Sequence, residues 1–427
     1  MRVLRVYHAG RDAGHRRRER ALREAGVDVT LVVPRVWHDP GSERTLSDEP
    51  FEIVELDVAR PGDVNRHRYT DTSELRDLIS AVRPEVLDIH EEPFSVATRQ
   101  WLDAAGDVPA VLYTAQNLDK RFPPPFARFE ISAYRRARGL YPCSRQAASV
   151  ARGKGFGGLI RVLPLGVNPE DFPVGEQRHG ASPFVLGVVG RLVPEKGLQD
   201  AVQILASLST RRQCRLLVVG EGPDLGPSLA LAESLGVRRA VEVQAWGGSE
   251  AIARAYRRMH VLLVPSRATP TWVEQFGRVI VEAQASGCVV AAYDCGSISE
   301  VCDGTGLVVK EGDTGAMAGA VQELAGDPVV WARLRADGMG RSGDFAWSTV
   351  ARGQQDLYAA VLDGRDQPRM SISRNAARAE FGPTAHTSVG DRPIALPGFR
   401  SSATLNGVAG RLIDLTAGGL DRAGRSG

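Results

Sequence analysis

Lysine is scarce in this chain. Of 53 basic residues in 427, only Lys120, Lys154, Lys196 and Lys310 are lysines, so a lysine inside a motif stands out against an arginine background. An excess of one charge is missing too: 53 basic residues face 51 acidic ones, a net charge of +2, which excludes a dedicated nucleic-acid binder with its marked basic excess. The five cysteines, Cys143, Cys214, Cys288, Cys295 and Cys302, are odd in number and form no Cys-x-x-Cys pair. Neither a disulfide framework nor a zinc site is suggested, and a reducing cytosol fits. No Asp-x-Asp metal signature occurs. No apolar run reaches the roughly 18–20 residues of a membrane span, and the opening segment is far too short for a signal-peptide core. The expectation is a soluble cytoplasmic protein that at most touches the inner membrane surface.

What is present is alternation. Residues 2–7 read as a strand, 16–25 as a helix and 27–33 as an apolar strand, followed by strands at 86–90 and 110–114 and helices at 97–105 and 127–138. After a connection around 161–180 a second series begins: strands at 184–189, 215–219, 261–264 and 289–293, with helices at 197–208, 229–235 and 279–285. Strand and helix in regular turn mean a parallel sheet covered on both faces. Two such units in tandem predict a cleft between them, with the carboxyl ends of both sheets facing it. The predicted division is 1–170, 171–345, an amphipathic helix within 346–365, and a tail over 368–427 whose Ala, Gly, Ser, Thr and Arg carry no sustained period and are expected to be disordered.

Two segments carry chemistry. In Glu274-Gln275-Phe276-Gly277-Arg278-Val279-Ile280-Val281-Glu282 a helix starts near Gly277, with Phe276, Val279 and Ile280 on its apolar face. Glu274 precedes that helix and Glu282 lies about 12 Å along at 1.5 Å per residue, so both can face one long ligand. The helix N-terminus suits a diphosphate between them, and Glu282 in an apolar helix needs donors such as ribose hydroxyls. Two solvated surface glutamates are the alternative. In Gly190-Arg191-Leu192-Val193-Pro194-Glu195-Lys196-Gly197 a strand ends in a glycine-flanked loop with a cation at each end, able to hold a diphosphate and stabilise it as a leaving group. A surface pair of Arg191 with Glu195 is the bland reading.

These two segments, with Val219-Gly220-Glu221-Gly222-Pro223, Val264-Pro265-Ser266 and Gly296-Ser297-Ile298-Ser299-Glu300-Val301, make the chain resemble the retaining glycosyltransferases of the GT-B fold, in glycosyltransferase family 4. The resemblance implies two Rossmann-like domains about a central cleft, closed by a C-terminal crossover helix. It implies transfer from a nucleotide-diphosphate sugar to a glycan, glycolipid or small-molecule hydroxyl, with no cofactor and no metal. Arg191 and Lys196 would bind the diphosphate, Glu282 the ribose and Glu274 the transferred sugar. The backbone at Phe276, Gly277 and Val279 would approach the phosphates, and residues 246–248 would cradle the base. A phosphorylase or synthase of the same fold, or a non-catalytic nucleotide-sugar binder, is the rival.

The N-terminal half matches more loosely. Gly10 is the best counterpart of a glycine loop near the diphosphate, and Gln116 stands where many members carry a functional histidine. Gln116 cannot act as a base but can hydrogen-bond a sugar hydroxyl. His90 matches a histidine often found at a neighbouring strand end, and is otherwise a structural cap. Arg11, Arg16, Arg17, Arg18, Arg20 and Arg23 crowd the first helix, either as a solvated face or as a peripheral membrane contact. No obligate protein partner is indicated.

Overall fold

The computed structural model describes residues 1–37, 48–175 and 179–364, so the stretch expected to be disordered lies outside the described residues. The first half contains strands β1 (Arg2–Val6), β2 (Asp28–Pro34), β3 (Glu52–Leu56), β4 (Val58–Ala59), β5 (Arg68–Tyr69), β6 (Val86–Ile89), β7 (Ala110–Thr114), β8 (Gly139–Pro142) and β9 (Leu159–Ile160). Its helices are α1 (Arg17–Glu24), α2 (Thr72–Val82), α3 (Val96–Ala104), α4 (Phe126–Arg136) and α5 (Arg145–Gly153). The second half contains β10 (Phe184–Val189), β11 (Cys214–Val219), β12 (Val241–Gln244), β13 (Val261–Val264), β14 (Val289–Tyr293) and β15 (Leu307–Val309). Around them lie α6 (Leu198–Ser209), α7 (Leu225–Ser234), α8 (Ser249–Tyr256), α9 (Arg278–Ala285), α10 (Ile298–Cys302), α11 (Thr314–Gly326), α12 (Pro328–Ser342) and α13 (Trp347–Asp363).

The first sheet runs β3-β2-β1-β6-β7-β8-β9 and the second β12-β11-β10-β13-β14-β15, with neighbouring strands parallel throughout. Helices cover both faces, so the inner strands carry near-continuous apolar runs: Val3, Leu4, Val6, Leu31, Val32, Leu87, Ile89, Leu216, Val218, Leu262 and Val290 are fully buried. This is the expected two-domain Rossmann-like architecture. In each sheet the strand order reverses beside the first strand, between β1 and β6 and between β10 and β13. Chain leaving the carboxyl ends of those strands diverges to opposite faces and leaves a crevice, which is where ligands sit in open parallel sheets. The loops after β1, β6, β10 and β13 are the ones that carry the site.

The last helix, α13, returns to the first half. Val350, Leu357, Tyr358 and Val361 share one apolar cluster with Val3, Leu22, Val27 and Tyr141. At its start the Trp347 ring lies so close to Gly166 that a Cβ there would fall 2.2 Å from the indole, so only glycine allows this approach.

Candidate active site

A cleft of about 930 Å³ opens between the carboxyl ends of the two sheets, with His8, His90, Glu92, Trp246, Gln275 and Glu282 in its walls. Among the described residues, no group of three or more His, Cys, Asp or Glu side chains is placed to hold a metal ion.

On the second-half wall, Glu274 is buried in the loop between β13 and α9. Its Oε2 accepts from Lys196 Nζ at 2.5 Å and from Ser266 Oγ at 2.9 Å. Its carbonyl accepts from Asn117 Nδ2 of the first half at 2.7 Å and from the Ser297 N–H at 3.0 Å. That tight seat depends on Gly296, whose φ is +61° and where a Cβ would lie 2.2 Å from the Glu274 carbonyl oxygen. Lys196 ends the one-turn segment after β10, with Nζ 5.1 Å from the Trp272 ring centroid. Arg191 is exposed, and among the described residues no carboxylate pairs with it, Glu195 included. The structure thus brings Lys196 to Glu274 and leaves Arg191, at the other end of the loop, exposed.

Gly277, with φ +79°, turns the chain into α9. Phe276 is buried against Phe345, ring centroids 5.7 Å apart, and Val279 packs partly into the same cluster, so both side chains hold the helix while any approach to a ligand falls to their backbone. Glu282, in the second turn, lines the cleft and accepts from the Tyr256 hydroxyl at 3.0 Å and pairs with Arg278 at 2.9 Å. Burial and then the Glu282 charge push the Tyr256 phenol well above its ordinary value, so it stays a donor. Trp246, half-exposed, lines the cleft with Gly247 and Gly248.

On the first-half wall Gly10 is buried and is not among the residues lining the cleft. Gly10 faces inward: a Cβ there would meet Tyr7, Leu31 and Val33 within 3.5 Å, and its carbonyl accepts from Arg16 Nε at 2.6 Å. His8, Ala9, Asp12 and Gly14 line the cleft in its place. The six arginines around the first helix divide between interior and surface, with Arg23 exposed and Arg17 and Arg20 partly so. Arg16 and Arg18 are buried, Arg18 donating to Gln354 Oε1 at 3.0 Å and to the Pro164 carbonyl at 3.2 Å. Arg17 pairs with Asp171, Arg20 with Glu49, Arg11 with Glu55 and Arg23 with Asp28.

His90 lines the cleft, stacked on Tyr113 at 4.0 Å with Tyr7 edge-on at 4.4 Å. Its Nδ1 lies 3.0 Å from the Tyr141 hydroxyl, which donates its own proton to Asp88 Oδ1 at 2.6 Å. The hydroxyl must then accept from His90, which assigns the imidazole proton to Nδ1. Burial, followed by the charges of Arg5, Arg18 and His8, holds the His90 pKa well below 6.5, so the ring is neutral. Gln116 is wedged into an ion pair: Lys154 Nζ donates to its Oε1 at 2.7 Å and its Nε2 donates to Glu130 at 3.1 Å. Beside it, Glu91 grips His8, both carboxylate oxygens within 2.8 Å of Nδ1 and one accepting the His8 backbone N–H. Burial pushes the Glu91 carboxyl up, but the charge and hydrogen bonds of His8 lead the contacts that more than offset this and leave it below its ordinary value.

The buried histidines set a pH dependence. His90 is held low, and burial lowers His67 as well. Below about pH 6.5 the unfolded chain binds protons at these positions that the fold refuses, so stability is complete above that pH and falls as pH drops, by about 1.4 kcal/mol per unit for each group. Melting temperature is expected to fall between pH 7.5 and 5.5, and less steeply in His90→Gln. A flat profile in both proteins would contradict the assignment of neutral histidines.

The sequence matches the family Glycosyl transferases group 1 over residues 183–327 and Glycosyltransferase Family 4 over residues 19–171. The chain belongs to the GT-B glycosyltransferases. It is 31% identical over 251 residues to a D-inositol 3-phosphate glycosyltransferase of Nocardia farcinica, covering 52% of this chain and 54% of the relative. It is 31% identical over 224 residues to a glycogen synthase of Mycobacterium tuberculosis, covering 51% and 53%. The chain thus spans about half the length of the curated relatives it matches. Its fold is shared with Anabaena HepE in complex with UDP, at TM-score 0.69 and 17% identity over 84% of this chain and all of that one. It is shared too with a sucrose-phosphate synthase of Thermosynechococcus elongatus, at TM-score 0.65 and 19% identity over 85% of this chain and all of that one.

Sequence reasoning missed several residues in and behind the walls of this cleft. Asn117, Ser266, Tyr256 and Trp272 all brace a predicted residue, and His8, Glu91 and Glu92 form part of the first-half wall. A polar residue directly after a buried strand, as in His90-Glu91-Glu92, Gln116-Asn117 and Pro265-Ser266, was the available signal, because the carboxyl end of a parallel strand is where side chains reach the crevice.

Proposed function

We propose that this glycosyltransferase moves a sugar from a nucleotide-diphosphate sugar to a hydroxyl of a glycan, glycolipid or small molecule, with retention at the anomeric carbon and without a metal ion. The observation that carries this reading is the arrangement along α9, with Glu274 and Lys196 just ahead of the helix and Glu282 in its second turn on the cleft wall. A donor along that line would meet the first-turn N–H groups behind Gly277 with its diphosphate, Glu282 with its ribose and Trp246 with its base. Lys196, exchanging Glu274 for the more highly charged diphosphate, would stabilise the leaving group, and Arg191 would add a second cation. HepE structures hold UDP and UDP-glucose, which supports a nucleotide-sugar donor here.

In the reaction the bond from the anomeric carbon to the diphosphate breaks and its electron pair leaves on phosphate. The acceptor oxygen bonds to that carbon from the same face, and its proton passes to the departing phosphate. Glu274 is suited to holding the transferred sugar more than to attacking it, because one carboxylate oxygen is already engaged by both Lys196 and Ser266. The test is donor hydrolysis across UDP-, GDP- and ADP-sugars, followed by transfer with the donor so selected and determination of product configuration by NMR. An inverted product would overturn retention, and activity abolished by EDTA would overturn metal independence. Phosphate-dependent release of sugar phosphate would mark a phosphorylase, and binding without turnover a binding protein.

A further inference from the structure

The proposed reaction needs a group on the first-half wall that receives the acceptor hydroxyl, and Gln116 is badly placed to be that group. Both ends of its amide are held, the oxygen by Lys154 and the nitrogen by Glu130, and the amide also bonds Glu92. Three residues beyond the end of β6, in the cleft wall, stands Glu92. Its Oε2 accepts the Thr114 hydroxyl at 2.8 Å and its Oε1 accepts the Ala115 N–H at 2.9 Å, both from the end of β7. With the Gln116 amide as a third donor, these bonds fix the carboxylate without exhausting it, since a carboxylate can accept about four. No lysine, arginine or histidine among the described residues pairs with Glu92, unlike Glu91 on His8, Glu130 on Lys154, Glu274 on Lys196 and Glu282 on Arg278. A half-buried carboxylate with a spare lone pair and no cation calls for neutral donors, and hydroxyls are such donors. The same wall offers Phe94 and Phe122, stacked at 4.0 Å, an apolar surface for the C–H face of a sugar or cyclitol ring.

We propose that Glu92 is the acceptor anchor of this glycosyltransferase, its carboxylate accepting a hydrogen bond from a hydroxyl of a polyol. The role resembles the one the family pattern would give to Gln116, moved one strand across, while Gln116 keeps the Lys154–Glu130 pair in register. The inference rests on the transferase reading above.

The test uses the full chain as wild type, Glu92→Gln and Glu92→Asp. Transfer is measured to glycerol, myo-inositol, methyl glucosides and maltooligosaccharides with the donor selected by hydrolysis, and UDP, GDP and ADP affinities are measured by calorimetry. Glu92→Gln is expected to raise KM for the polyol at least tenfold, with nucleotide affinity within twofold of wild type, and Glu92→Asp to recover part of that loss. An unchanged KM in Glu92→Gln, or a matching loss of nucleotide affinity, would overturn the assignment. So would wild type that hydrolyses donor but transfers to none of these polyols. Wild type that hydrolyses no donor at all would instead overturn the transferase reading and leave that failure distinguishable.

Discussion

Lys196→Ala is expected to lower turnover by about 10²–10³-fold, some 3–4 kcal/mol of transition-state stabilisation, with little change in folding stability. The side chain is one-quarter exposed, so its removal opens no cavity, yet its ammonium is paired with the buried Glu274 carboxylate. Glu274 receives it at 2.5 Å, and the Trp272 ring lies beneath it. During transfer the departing diphosphate gains negative charge, and a fixed cation is most effective where charge grows. Lys196→Arg is expected to recover only part of the activity, because the planar guanidinium cannot occupy the compact position of an ammonium between a carboxylate and an indole. Glu274→Gln, which keeps an acceptor for Ser266 while losing the ion pair, should fall into the same range as Lys196→Ala. Steady-state kinetics with the selected donor, together with melting temperature, make the check. Wild-type turnover from either variant in a folded protein would remove the Lys196–Glu274 pair from the mechanism.

The second-half wall was legible because its charged residues lie within contiguous glycine-bearing segments, although the Lys196–Glu274 contact that joins two of them spans 78 positions. Glycines that must adopt positive φ, as at Gly197 and Gly277, sit within a few residues of the charges they position, so the local pattern already contains the geometry. The first-half wall is assembled over long separations: His8 meets Glu91 across 83 positions, and Gln116 meets Lys154 across 38. Spacing along the chain says nothing of such pairs. The same limit explains Arg18, which read as surface although it is buried, because its partner Gln354 lies 336 positions away. Among strands, the central ones announced themselves as apolar runs. β3 did not, since this edge strand is only partly buried and carries Glu52 and Glu55. Nor did β8, whose Gly139-Leu140-Tyr141-Pro142 lacks a β-branched residue and has its glycine beneath α13, where a Cβ would come 3.0 Å from Val361.

Asp88→Ala is expected to cost about 3–5 kcal/mol of stability, the largest effect of any single substitution considered, because it strands a buried cation. Arg5 and Asp88 are facing residues in the register of β1 and β6, and both are fully buried. Asp88 also accepts the Tyr141 hydroxyl of β8 at 2.6 Å, Gln354 Nε2 of α13 at 2.7 Å and the Tyr358 hydroxyl, while Arg5 reaches on to Glu19 of α1. One carboxylate thus ties three strands of the first sheet to the helix that returns from the second half. Burial opposes the Arg5 charge, and Asp88 is the first of the groups that override it and hold its pKa well above the ordinary value. With Asp88 removed, Glu19 alone would face that charge. Asp88→Asn should cost less than alanine but far more than Tyr358→Phe, which deletes a single hydroxyl and is worth about 1 kcal/mol. Urea denaturation of the three variants measures the order. Hydrogen exchange adds a readout specific to this network, since amides of α13 should lose protection in Asp88→Asn before those of α6 or α9 do. Stability of Asp88→Asn within about 0.5 kcal/mol of wild type, the range of ordinary surface substitutions, would mean that α13 is held by its apolar face alone.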